Sequence, residues 1–281
     1  MFEPFSLNIS GRIVEFDRPA VMGILNVTPD SFYGTSRTMS REDICRRVSL
    51  MLEDGADIID IGGYSTRPGA PEVSQEEELR RVMSGMEVVR SLAPEAIISV
   101  DTFRSSVARK AAEEFQADII NDISGGDMDE KMFDTVADTG AAYIAMHTRG
   151  CPATMQQLTD YDDVVAEVIS SLSSKVRELA LRGVADVIVD PGLGFAKTVE
   201  QNYYLLEALE AIKSTLERPI LIGLSRKSMI TKPLGITADE ALAPTTALNL
   251  AALERGASII RVHDVKEAVM AVKLYMMLKG L

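Results

Sequence analysis

Cysteine is nearly absent from this 281-residue chain: Cys45 and Cys151 lie far apart, with no second pair. A disulfide framework and a multi-thiolate zinc cluster are thereby excluded, and a reducing compartment fits. Positive charge is also scarce. With 29 Lys and Arg against 42 Asp and Glu, the net charge of -13 argues against nucleic acid or an anionic membrane as partner. No apolar run approaches the roughly 18 residues of a membrane span. Met1-Phe2-Glu3-Pro4 has neither the basic flank nor the apolar stretch of a signal peptide. These absences predict a soluble cytoplasmic protein. No Pro- or Ser-rich linker divides the chain, so residues 1–281 read as one domain.

What is present is a repeated pattern. Hydrophobic residues make up 46% and charged residues 25%, enough for a sizeable core. Val187-Ile188-Val189 is a β-branched run that ends on Asp190 and is stopped by Pro191-Gly192. A carboxylate there sits at the mouth of a sheet rather than in its packing. Asn26, Asp101, Asn121, His147 and His263 likewise follow apolar runs and precede turn residues. Strands are predicted at residues 20–25, 58–62, 97–100, 119–120, 141–146, 187–189, 220–223 and 259–262. Between them, Ser40, Ser74, Thr198 and Thr237 carry helix-start signals, and Gly55, Gly140, Gly183 and Gly256 stand where helices end. Eight strands alternating with eight helices predict a single (β/α)8 TIM barrel, with an open doubly wound sheet as the weaker alternative. Residues 6–16 alternate around Ser10-Gly11, predicting an N-terminal β-hairpin within residues 1–18 that closes the bottom.

Polar residues converging at the C-terminal ends of parallel strands describe an active-site face. Gly223-Leu224-Ser225-Arg226-Lys227 follows the seventh strand, where barrels hold phosphate; its lysine could instead form a Schiff base. Arg261 and His263 alternate, so both point one way and could clamp an anion. Arg67 and Arg226 extend the same basic group. Asn26 is either a turn former or a hard-oxygen ligand for Mg2+ beside a polyphosphate. Asp101, Asn121 and Asp190 could together read a ring bearing several N–H donors. Met146 and Phe195 could supply its apolar contacts.

The ordered set from Met22-Gly23-Ile24-Leu25-Asn26-Val27-Thr28-Pro29-Asp30-Ser31-Phe32 to Arg261-Val262-His263-Asp264-Val265 resembles the dihydropteroate synthase family of pterin-binding barrels. Ser65-Thr66-Arg67-Pro68-Gly69, Asn121-Asp122-Ile123-Ser124-Gly125-Gly126, Asp190-Pro191-Gly192-Leu193-Gly194-Phe195 and Ser225-Arg226-Lys227 match in order between them. The resemblance implies condensation of 6-hydroxymethyl-7,8-dihydropterin pyrophosphate with p-aminobenzoate, in folate biosynthesis. It implies that Asp101, Asn121, Asp190 and Lys227 hold the pterin and that Asn26 ligates Mg2+. Thr66, Arg67, Arg261 and His263 would hold the pyrophosphate, and Ser225 and Pro68 would help receive the amine. Asp101, Lys227, Arg261 and His263 are the expected catalytic residues, with Met146, Phe195 and Gly223 lining the substrate. A homodimer, and membership of the class of enzymes that sulfonamides target, are also implied. A methyltetrahydrofolate-dependent methyltransferase, a non-catalytic pterin-binding protein and a Schiff-base aldolase stay open. Two departures stand out: Tyr64 replaces an acidic residue common in the family, and the first loop reads Phe32-Tyr33-Gly34-Thr35-Ser36.

Residues 27–39 and 64–73 are long polar segments after strand ends, the usual place for substrate-binding loops. If they assemble the amine pocket around Mg2+, pyrophosphate and a pterin, p-aminobenzoate should bind weakly to the protein alone. Adding the three together should tighten it at least about tenfold, roughly 1.4 kcal/mol of coupling. Calorimetric titrations with and without them test this; equal affinities would mean a preformed amine site.

Overall fold

Burying a parallel sheet on both faces requires apolar residues on its inward and outward sides alike, and the chain supplies them strand after strand. The computed structural model describes residues 2–9, 11–28, 40–65 and 72–280. Its first elements, β1 (Phe5–Ile9) and β2 (Arg12–Phe16), pair antiparallel. Eight parallel strands follow: β3 (Ala20–Asn26), β4 (Ile58–Gly62), β5 (Ile97–Asp101), β6 (Ile119–Asp122), β7 (Ala142–Met146), β8 (Val187–Asp190), β9 (Leu221–Ile222) and β10 (Ile259–Val262). They run in the order β8-β7-β6-β5-β4-β3-β10-β9. A parallel bridge between Val189 and Ile220 joins the two ends, with the Val189 N–H donating to the Pro219 carbonyl at 3.0 Å. The sheet is therefore a nearly closed TIM barrel and not an open doubly wound sheet. Several strands run one or two residues past the expected apolar runs, so that Asn26, Asp101, Asn121 and Asp190 are themselves strand residues.

The helices are α1 (Arg41–Asp54), α2 (Gln75–Leu92), α3 (Ser105–Phe115), α4 (Met132–Thr139), α5 (Val164–Leu181), α6 (Val199–Glu207), α7 (Leu209–Leu216), α8 (Ser228–Leu234), α9 (Leu242–Glu254) and α10 (Val265–Lys279). Ten α-helices among the described residues replace the eight expected, because two crossovers carry a pair each. The first pair breaks at Ala208; in the second, Pro233 and the left-handed Gly235 end α8 early. Start signals held at three of the four predicted sites. Ser40 and Thr198 form capping boxes with Asp43 and Gln201, and the Ser74 side chain accepts from the Glu77 N–H. Thr237 does not open α9: its N–H and hydroxyl bond Glu240, and a 3-10 turn at Asp239–Ala241 intervenes.

The hairpin forms the floor. Leu7, Ile9 and Phe16 pack with Ala20, Ile58, Ile119, Ala142, Leu221 and Ile259, the first interior residues of their strands. The Asn8 N–H also bonds Asp186, directly before β8, at 2.9 Å. At the opposite end, Phe103, Ile123 and Met146 form a separate apolar cluster with Tyr64 and Phe195 packed against it. The barrel thus has a dry floor and a mouth that mixes aromatic and charged groups. Because Leu7 is 1% exposed and lies at the floor, Leu7→Ala should cost about 2–4 kcal/mol in urea unfolding. Pterin affinity, governed by the far end, should be unchanged in the same variant; a matching loss of affinity would show the floor and the mouth to be coupled.

Candidate active site

Side chains alternate along a strand, so register partners face the same way. Asn26, Gly62, Asp101 and Asn121 are successive partners across β3, β4, β5 and β6, which places them on one interior level. Met146 and Asp190 are partners across β7 and β8. Gly62 leaves the space at the centre of the first group. A Cβ there would sit 3.4 Å from Asn26 Oδ1 and 3.8 Å from Asp101 Oδ2.

Arg261 rises into this level from β10. Its Nε donates to Asp60 Oδ2 and its Nη2 to Asp101 Oδ2, both at 2.6 Å. Asn121 Nδ2 donates to the same Asp60 oxygen at 3.2 Å. Arg261 thus spends two of its N–H groups on carboxylates, because the strand period aims it across the barrel toward β4 and β5.

Asp190 faces the loop that follows it. The Gly192 N–H donates to Asp190 Oδ1 at 2.7 Å. Gly192 has φ +73, and a Cβ would fall 1.9 Å from the His147 carbonyl oxygen, so only glycine makes this turn. Lys227 Nζ donates to the Leu193 carbonyl at 2.6 Å and lies 4.5 Å from the centre of the Phe195 ring. Gly223 makes room between cations: a Cβ there would be 3.9 Å from both Lys227 Nζ and Arg261 Cβ. Ser225 and His263 pair through Oγ and Nδ1 at 3.0 Å, and the His263 N–H donates to the same hydroxyl at 3.2 Å. Arg47 on α1 donates to the His263 carbonyl. Asn26 makes no side-chain hydrogen bond to another described residue.

Arg226 leaves the expected basic group. Its positive φ of 57 turns it away from Lys227, and its guanidinium forks onto Asp264 at 2.8 Å through Nε and Nη2. Thr66, Arg67 and Pro68 lie outside the described residues, as does most of the first loop. Tyr64 is described: its ring meets Phe103 edge-on at 5.2 Å, and the Arg104 guanidinium lies 5.4 Å from its centre. Among the described residues, three or more His, Cys, Asp or Glu nowhere gather as a metal cluster.

This arrangement, acceptors on three strand ends beside an apolar slot and two lysine- or arginine-borne charges, coincides with a family match. A model described as "Pterin binding enzyme" matches residues 22–263. The chain belongs to the pterin-binding enzyme family. Dihydropteroate synthase of Escherichia coli K12 is 42% identical over 266 residues, covering 94% of this chain and 93% of that protein. The mitochondrial folate synthesis bifunctional protein of Arabidopsis thaliana is 41% identical over 284 residues. That match covers 95% of this chain but 51% of the plant protein, so the chain spans about half the length of such bifunctional relatives. Among solved structures, Xanthomonas albilineans dihydropteroate synthase with 4-aminobenzoic acid superposes with TM-score 0.90 at 38% identity, covering 98% of each chain. Yersinia pestis dihydropteroate synthase in a sulfonamide drug complex does so with TM-score 0.90 at 37% identity, covering 99% of this chain and all of that one.

Within this pterin-binding barrel the charges are tightly coupled. Burial raises the Asp101 carboxyl to about 7 against the pull of Arg261, helped by the charges of Asp60, Glu78 and Asp122. Burial also raises Asp190, opposed by Lys227, the Gly192 N–H, Lys197 and Arg261. Lys227 is lowered to about 8 by burial, with Asp190 opposing. Two buried groups missed as site members stand behind them. Lys197 Nζ bonds His147 Nδ1 at 3.0 Å and the carbonyls of Gly192 and Phe195 at 3.1 and 3.0 Å. It thereby ties the Asp190 loop to the end of β7. Its signal was present, since a lysine closes the motif Gly194-Phe195-Ala196-Lys197 without an exposed helix face to occupy. Asp60 was missed as well, although a carboxylate inside Ile58-Ile59-Asp60-Ile61 breaks an otherwise apolar strand.

His147 gives a test of this buried contact with Lys197. Burial first, and then Lys197, lower its pKa to about 3 from 6.5. The unfolded chain therefore takes up a proton below pH 6.5 that the folded chain refuses until about pH 3. This contribution to stability is present above pH 6.5 and is lost as pH falls, by up to about 1.4 kcal/mol per pH unit. Lys197, lowered to about 7 by burial, titrates above that window. Denaturation of wild type and His147→Asn at pH 6.5 and 5 should show the wild type losing up to about 2 kcal/mol more. Parallel losses would mean that His147 is protonated in the fold.

Proposed function

We propose that the chain is a dihydropteroate synthase: it joins 6-hydroxymethyl-7,8-dihydropterin pyrophosphate to p-aminobenzoate, giving 7,8-dihydropteroate and pyrophosphate in folate biosynthesis. The observation that carries this reading is the acceptor level at the barrel mouth, Asp101, Asn121 and Asp190 around an apolar slot, in a chain covering 98% of a solved dihydropteroate synthase. Related structures bear the reacting partners: one Xanthomonas albilineans structure is in complex with 7,8-dihydropteroate, at TM-score 0.86 and 35% identity.

The residues fit the chemistry. A ring with several N–H donors would meet Asp190, Asp101 and the Asn121 amide oxygen, lie against Met146 and Phe195, and be flanked by Lys227 beside Gly223. The C–O bond at the pterin methylene breaks with its electron pair leaving on pyrophosphate. The amine lone pair forms the new C–N bond, and the nitrogen then gives up one proton. Asp101 and Asp190, in their ionised forms, stabilise the positive charge that grows on the pterin. Arg261 and His263, with Thr66 and Arg67, would balance the leaving group, Arg261 through its charge rather than as a fork. Ser225, fixed by His263, and Pro68 would border the amine. Lys227 acts here as an ammonium donor to Leu193 and a partner of Asp190, which suits ring binding better than Schiff-base chemistry.

Mg2+ fits Asn26 on the chemistry of the donor: a single neutral oxygen at the mouth, with no side-chain hydrogen bond to another described residue. Such a donor suits a hard ion whose remaining ligands are water and phosphate. When bound, the ion would supply charge neutralisation to the diphosphate. A homodimer is proposed on the outer face of α10, where Met270, Leu274, Met277 and Leu278 are exposed at 47%, 57%, 74% and 70%. A cytoplasmic location is proposed on composition, with Cys45 and Cys151 both free.

Pyrophosphate release from the pterin substrate should require p-aminobenzoate for sustained turnover and should fall on Mg2+ removal. Asp190→Asn presents a donor where two acceptors are needed. Each lost charge-assisted bond is worth roughly 1.5–3 kcal/mol, so pterin affinity by calorimetry should drop about tenfold to several-hundredfold. Unchanged affinity in the folded variant would remove Asp190 from the pterin site.

A further inference from the structure

Asp60 lies one level below the mouth, on the same face of β4 as Ile58 and Gly62, and is 0% exposed. Its Oδ2 accepts from Arg261 Nε at 2.6 Å and Asn121 Nδ2 at 3.2 Å. Its Oδ1 has no hydrogen-bond partner among the described residues, and neither has the hydroxyl of Ser99, its register partner on β5. A buried carboxylate with half its capacity unused is a poor stability device, since an apolar residue at such a position is often neutral or better. The reason for its presence is sought in what it does to its two neighbours.

Both neighbours belong to the acceptor level. An ionised carboxylate only accepts, so the Asn121 amide must turn its NH2 group toward Asp60 and its oxygen toward the other side. Arg261 would naturally fork onto Asp101 and occupy both of its oxygens. With Nε held by Asp60, it reaches Asp101 through Nη2 alone, on Oδ2. Asp101 Oδ1 is then left for a donor from elsewhere.

We propose that Asp60 is the positioning residue that makes the barrel mouth an array of acceptors, holding Arg261 off Asp101 Oδ1 and orienting the Asn121 oxygen toward a donor-rich ring. This rests on the reading of Asp101, Asn121 and Asp190 as the pterin site. Asp60→Asn keeps the shape but introduces a donor, which lets the Asn121 amide reverse and Arg261 fork onto Asp101.

Steady-state kinetics of Asp60→Asn should show KM for the pterin substrate rising at least about tenfold with kcat changed less than about threefold, the pattern of lost uniform binding. In a cycle with Asn121→Ala, read by calorimetry with 6-hydroxymethylpterin, the two losses should be strongly non-additive. Additive losses, or an unchanged KM, would overturn the proposal. If Asn121→Ala and Asp190→Asn alone leave pterin affinity unchanged, the site reading fails instead, and the two failures are thereby separated. Should Asp60→Asn not fold, the wild type supplies the test. The Arg261 Nε–H resonance, assigned by its loss in Arg261→Lys, should exchange slowly both free and pterin-bound. Fast exchange in the bound protein would overturn the proposal.

Discussion

The guanidinium of Arg261, held between Asp60 and Asp101 at 2.6 Å on each side, is the contact on which the rest of the mouth depends. A charge buried this deeply is tolerable only when paired and hydrogen-bonded. Here one cation serves two carboxylates, so the group remains net negative before Asp190 is counted. That excess suits a ring rich in N–H donors, and still more a ring that becomes cationic as its leaving group departs. Lys227 and Lys197 keep the surplus from growing too large around Asp190, and burial lowers the pKa of both.

The strand period explains why so much was legible in the sequence. An apolar run that ends on a polar residue, with Gly, Pro, Ser or Thr turn chemistry after it, marks both the end of a strand and the residue standing at its mouth, and Asn26, Asp101, Asn121 and Asp190 all show it. The same rule, taken two residues back, leads from Gly62 to Asp60. Asp60 is nevertheless illegible there, because a single polar residue inside an apolar run gives no local sign of which side chain it answers. Its partners lie 61 and 201 positions away.

Arg226 failed for the opposite reason. Its neighbours Ser225 and Lys227 both serve the mouth, and adjacency suggested a shared direction. A left-handed φ, invisible in an arginine codon for codon, reverses the chain at that residue and gives its fork to Asp264. The helix count differs at two breaks: Ala208, where α6 passes to α7 with no strong punctuation, and Pro233 with Gly235, which end α8 before α9 begins. Residues whose role depends on a turn or a distant partner are the ones a linear reading loses.

The closure of the barrel rests on a narrow seam: β9 has two residues, and Val189 with Ile220 supplies the bridge to β8. Asp190 stands on one bank of that seam, and Gly223 and Lys227 stand on the other. Any molecule gripping Asp190 and Lys227 together therefore acts as a clasp across the weakest join of the cylinder. Occupancy of the mouth and tautness of the whole wall become one mechanical variable, and the empty barrel should breathe first along this line.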